Sequence, residues 1–165
     1  MNEVTRRNFV LTAAAAGGAM GISSHLQAQN TPYGAEINLE QAKKAIAAAE
    51  EEARKNGWSM AIAVVDNHGF LVAFEKMDDT HTASVQIAID KATVAAMFRR
   101  PTKALQDAVA GGGAGLRILS VKGAIAIEGG FPIVVGGKIV GGVGASGANS
   151  DQDAQVARAA ASAVG

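Results

Sequence analysis

Between residues 39 and 56 the small apolar residues Ala42, Ala45, Ile46, Ala49 and Ala53 recur at intervals of three and four, which lays them along one face of a helix. Asn38 and Gln41 stand where a capping box would start this helix, and Gly57 supplies a left-handed stop. The period then changes. "SMAIAVVD" and "FLVAFEK" are strand-like runs separated by Asn67-His68-Gly69, and together they predict a β-hairpin. A helical pattern returns from Thr82 to Phe98, and Pro101 opens a shorter helix, "PTKALQDAV". Gly111 to Gly115 breaks regularity as a mobile loop. Three short strands follow, Ala124 to Ile127, Phe131 to Val135 and Lys138 to Ala145, with Gly129-Gly130 and Gly136-Gly137 as the turns. Ser150 caps a last helix whose first turn holds Asp151 and Asp153. The order α-β-β-α-α-β-β-β-α, with short turns between successive strands, predicts an α+β domain. Its core is a five-stranded antiparallel sheet with helices packed on it. Gly141, Gly142 and Gly144 inside the last strand predict close approach of a backbone, a helix or a ligand.

Composition sharpens this picture. A chain of 165 residues with 48% hydrophobic content supports one domain with a real core, but aromatics are only 4%, so Ala, Val and Ile must build it. Fifteen basic residues balance 15 acidic ones, and no cluster of Lys and Arg marks a nucleic-acid surface. Cysteine is absent, which excludes disulfides and thiolate chemistry.

The N-terminus has its own pattern. The apolar run from Phe9 to Ile22 spans 14 residues, about 21 Å as a helix, short of the roughly 30 Å of a bilayer core. A permanent membrane span is therefore not expected. A charged start, a short apolar middle and small residues near Ala28 fit a secretory signal; the alternative is a buried N-terminal helix. Thr5-Arg6-Arg7-Asn8-Phe9-Val10-Leu11 resembles the twin-arginine export signal, which carries proteins already folded. The expected organisation is a signal peptide over 1–28, a polar leader over 29–37 and the domain over 38–165, in the periplasm or otherwise exported.

Several familiar sites are excluded. The glycine loop lacks the Gly-Lys-Ser/Thr of a phosphate-binding loop, and Gly144-Ala145-Ser146-Gly147 misses the spacing of a nucleophile elbow. Beyond the signal only His68 and His81 remain, too few for a structural zinc site. The richest stretch is "KMDDTHTASVQIAIDKATVAAMF". Asp78, Asp79 and His81 gather before the second helix, and His81, Ser84, Ala88, Lys91, Ala95 and Phe98 fall along one side of it. Lys91 thus sits among apolar neighbours, either snorkelling to water or binding an anion such as a carboxylate. His81 is either an axial ligand to haem iron or a surface or capping residue. Asp78 and His81 also form a possible base and orienting partner, but no third catalytic element is visible.

"AVVDNHGFLVAFEKMDD", "DKATVAAMFRRPT" and "GGFPIVVGGKIVGGVGASGANSDQDAQVARA" together resemble the GlcG/HbpS-like family of haem-binding or haem-degrading domains. The glycine-patterned segment from Gly129 to Gly147 is the most specific part, while Lys76 and Asp79 depart from the family's usual Arg-Met-Asp-Gly. The resemblance implies an α+β domain with a five-stranded antiparallel sheet, assembly into symmetric homo-oligomers, and haem as a ligand of some members. Asp78, Ser84, Lys91 and Thr102 match positions where the family keeps polar residues around its second helix.

The resulting expectation is an exported haem-binding protein, with the porphyrin near the second helix. His81, Ser84, Lys91, Phe98, Arg99 and Thr102 would line the site. His81 is the possible iron ligand, and Lys91 or Arg99 would meet the propionates. One alternative is an enzyme acting on a small carboxylic or aromatic metabolite through Asp78, His81 and Lys91. Another is a structural role in which the glycine-rich strand packs subunits together.

Overall fold

The computed structural model describes residues 31–165; the expected signal peptide lies outside the described residues. Helix α1 (Leu39–Asn56) starts and stops as its sequence dictates. Asn38 Oδ1 accepts the Gln41 N–H at 2.8 Å, the Gln41 side chain answers the Asn38 N–H at 3.2 Å, and Gly57 closes the helix at φ 72°. Strands β1 (Ala61–Asp66) and β2 (Leu71–Lys76) form the hairpin. Helix α2 (Ser84–Met97), helix α3 (Lys103–Ala110) and a 3-10 helix (Gly113–Ser120) follow. The chain then forms strands β3 (Gly130–Val135) and β4 (Lys138–Ser146) and ends in helix α4 (Ser150–Val164).

The described sheet has four strands, in the order β2-β1-β4-β3, each pair antiparallel. The fifth strand expected at Ala124 to Ile127 is not formed. That segment alternates as a strand would, but no sheet edge receives it, and Ile127 is left exposed. Its ends are turned out of extended geometry by Gly123 at φ 80° and Gly129 at φ 122°. A strand is made by its partner, and here the partner is missing.

Three local readings also change. The loop expected over Gly111 to Gly115 gives way at Gly113 to a 3-10 helix that runs to Ser120. Asn149, one residue before Ser150, is the N-cap of α4, and its N–H donates to Gln152 Oε1 at 3.1 Å. Pro101 stands before α3, with Thr102 as the residue that enters the helix. The polar leader contributes more than its composition suggests. Gly34 and Ile37 donate to the carbonyls of Ile139 and Val140, each at 2.8 Å, and Ile37 enters the core.

Helices cover both faces of the sheet. Ala61, Ala63 and Val65 of β1 face Ala88, Ala92 and Ala96 of α2, whereas Ile62 and Val64 face the side packed by α1 and α4. The period of two along the strand thus divides its residues between two cores. Each buried Val or Ile contributes roughly 1.5–3 kcal/mol; the alanines serve mainly to bring the layers close.

Candidate functional site

Helix α2 rests almost on the backbone of β4. A Cβ on Gly142 would lie 2.4 Å from the Ala92 carbonyl oxygen, and one on Gly144 would lie 2.2 Å from that of Ala88. Gly142 and Gly144 therefore admit the chain's own helix, while a Cβ on Gly141 would lie 2.3 Å from the Val65 carbonyl oxygen of the neighbouring strand. Each step of four residues along α2 matches two along β4, about 6 Å against about 6.8 Å. Continued once more, this pairing sets Ser84, the first residue of α2, over Ser146, the last of β4. Helix and strand end together there. An open cleft of about 470 Å³ lies at that end, between His81, Ser84 and Ile87 on one side and the 146–149 turn with Gln152 on the other.

A buried ion pair braces this turn. Lys91 is 1% exposed, and its Nζ donates to Asp153 Oδ2 at 2.7 Å and to the Ala145 carbonyl at 3.0 Å. Asp153, itself 3% exposed, uses Oδ1 to accept the N–H groups of Gly147 and Ala148, each at 3.1 Å. One carboxylate thereby joins α2, the end of β4 and the start of α4. Gly129 leaves room for the pair, since a Cβ there would lie 2.7 Å from Lys91 Nζ. Burial pushes the Lys91 amine below its ordinary value, and the hydrogen bond and charge of Asp153 oppose that shift.

The residues singled out in the sequence separate along α2. His81 and Ser84 share the cleft. Lys91 neither reaches water nor lines the cleft; its ammonium is taken by Asp153. Phe98 and Arg99 lie past the other end of the helix, about 21 Å along its axis from Ser84. The Arg99 guanidinium sits 5.6 Å from the centre of the Tyr33 ring. Thr102 is fully buried, with its Oγ1 accepting the Gly130 N–H at 2.9 Å and its own N–H donating to the Gly130 carbonyl at 3.0 Å. Asp78 is exposed and shares no hydrogen bond with His81 among the described residues. Asp78, His81 and Lys91 thus form no common cluster.

Sequence reasoning missed Asp153 and Ser146 as parts of this site. Asp153 was visible only as an acid favourable in a helix first turn, and Ser146 only as part of an excluded nucleophile motif. Among the described residues no group of three His, Asp or Glu side chains could hold a metal ion. A porphyrin brings its own four nitrogen ligands, so an exposed histidine on a cleft of this size fits haem where it would not fit a bare metal.

Residues 37–162 match the family described as haem degrading protein HbpS-like. The chain belongs to this family. Within the HbpS-like family, it is 42% identical to Protein GlcG of Escherichia coli K12 over 112 residues, covering 67% of this chain and 81% of GlcG. A crystal structure of a double mutant of Streptomyces reticuli HbpS superimposes with a TM-score of 0.74 at 32% identity, covering 93% of this chain and 99% of that one. The crystal structure of a PduOC–haem complex superimposes with a TM-score of 0.70 at 27% identity, covering 78% of this chain and 94% of that one.

Proposed function

We propose that this HbpS-like chain binds haem in the cleft between the start of α2 and the 146–149 turn, with His81 as the iron ligand. The observation that carries the reading is the cleft of about 470 Å³ with an exposed histidine on its wall. That volume falls within the ~300–1,000 Å³ of small-molecule sites. The haem complex of the related PduOC supports the choice of ligand. Bound haem supplies a redox-active iron. The chain's own residues bind and orient it: Ile87 offers apolar contact, His81 a ring nitrogen, and the turn held by Asp153 a fixed wall.

The test is a hemin titration of the purified protein, followed in the visible spectrum. The expected result is a saturable Soret band that shifts or weakens in His81→Ala. Absence of saturation in the wild-type protein removes the haem reading. An unchanged band in His81→Ala removes the ligand assignment alone.

The proposal extends to export by the twin-arginine route, supported by the residues from Thr5 to Leu11. It also extends to self-association, supported by the exposed Leu116, Leu119, Val121 and Ile127 in the segment after α3. Replacement of Arg6 and Arg7 by lysine should leave the full-length chain inside the cell. Processing that continues unchanged would sink the export reading.

A further inference from the structure

The cleft contains two polar groups that the fold itself does not use. Ser84 is 4% exposed and Ser146 is 6% exposed, both line the cleft, and neither hydroxyl has a hydrogen-bond partner among the described residues. They are not sealed in: Asn67 Oδ1 is the fully buried side-chain atom left unpaired among those residues. The opening that each serine keeps is onto the cleft. Two hydroxyls that the fold leaves free and turns onto the cleft are available to donate to an acceptor on a ligand there.

The helix ends facing the cleft differ. Helix α4 starts with Asp151 and Asp153 in its first turn and with Gln152 bonded to the N-cap, so its positive end is already answered. Helix α2 starts with no side-chain cap and no acidic residue in its first turn. The Ser84 N–H donates to the His81 carbonyl at 3.1 Å and the Ile87 N–H to the Ala83 carbonyl at 3.2 Å. That leaves the N–H groups of Val85 and Gln86 without a partner among the described residues, and the helix's partial positive charge lies beside Ser84. Lys91 adds no free cation, because Asp153 neutralises it.

We infer that Ser84, Ser146 and the uncapped start of α2 form a seat for a carboxylate. The seat acts by hydrogen-bond donation from hydroxyl and backbone groups, with no side-chain cation among them. This deepens the proposed function and rests on its reading of the cleft as the ligand site. The carboxylate is either a propionate of a bound porphyrin or the acid group of a free organic molecule.

The experiment titrates the full chain with hemin, with hemin dimethyl ester and with benzoate, in wild type, Ser84→Ala, Ser146→Ala and Ser84→Asp. If propionate occupies the seat, wild type binds hemin at least about tenfold more tightly than its ester, and either alanine variant removes that preference. If wild type fails to bind hemin but binds benzoate, and the alanine variants lose benzoate, the seat stands and the haem reading falls. If hemin and its ester bind equally in wild type and in the alanine variants, and benzoate does not bind, the seat is overturned while haem binding stands. Binding of none of the three overturns both. Ser84→Asp supplies an independent readout, since it places a carboxylate on the seat. It should raise the thermal midpoint while blocking benzoate or the hemin preference. A lowered midpoint with carboxylate binding intact would count against the inference.

Discussion

Lys91 Nζ lies 2.7 Å from Asp153 Oδ2, with both side chains inside the protein, and the other oxygen of Asp153 holds two N–H groups of the turn that walls the cleft. The pair is therefore asymmetric. Asp153 serves three donors, whereas Lys91 serves the carboxylate and one carbonyl.

That asymmetry predicts unequal costs. Asp153→Ala leaves a buried ammonium without its counter-charge, held only by the Ala145 carbonyl, and two N–H groups unpaired, and should destabilise by about 3–5 kcal/mol. Lys91→Met leaves a carboxylate that still accepts two hydrogen bonds, so it should cost less. Urea unfolding of both variants decides the matter; a costlier Lys91→Met would contradict this account of the pair.

The same lysine sets a pH dependence. Its folded-state value is depressed below the 10.5 of the free side chain, so between the two values the unfolded chain binds more protons. Lys91 should then add stability as pH rises through that window, and none as pH falls below it. The penalty for burying the charge is fully present at lower pH and disappears toward 10.5. Along a rising pH series the unfolding midpoint of wild type should therefore gain on that of Lys91→Met and widen its lead. A gap that widened in favour of the variant would reverse the sign.

Close packing of α2 on β4 gives a third prediction. In Gly144→Ala the new methyl would meet the Ala88 carbonyl oxygen at 2.2 Å, a backbone atom that cannot swing away. A loss of roughly 1–3 kcal/mol or more is expected, along with distortion of the cleft. At Gly57, by contrast, an added Cβ meets nothing within 4 Å, and only the left-handed conformation at φ 72° resists it. Gly57→Ala should therefore cost only about 1–2 kcal/mol and leave ligand binding unchanged. Equal binding defects in the two variants would argue against a packing role for Gly144.

Self-association is testable on the segment after α3. Leu119 is 69% exposed and Leu116 is 49% exposed. Light scattering should find a smaller particle for Leu119→Asp than for wild type if this segment joins subunits. An unchanged mass, or a monomeric wild type, would remove that role.

Much of the local structure was legible in residues close together in the chain. The capping box of α1, its stop at Gly57, the hairpin after Asp66 and the Gly136-Gly137 turn all depend on neighbours within a few positions. The glycines of β4 also announced a close approach, and α2 is what approaches. Lys91 stood out among apolar residues, but its partner did not: Asp153 is 62 residues away, and nothing at either position names the other.

Sequence by itself therefore determined the α+β class, the hairpin, the main helices and the last two strands, the family, and a helix that carries Ser84 and Lys91 on one side with His81 just before its start. Only the tertiary structure decided that Ala124 to Ile127 has no strand to pair with, that Lys91 turns inward, and that His81 and Ser84 part company with Phe98 and Arg99. Periodicity records which side of an element is buried, whereas a strand, an ion pair and a cleft each need a second element brought close by the fold. Ser84 and Ser146 border the same cleft because α2 and β4 step past each other in register and end together.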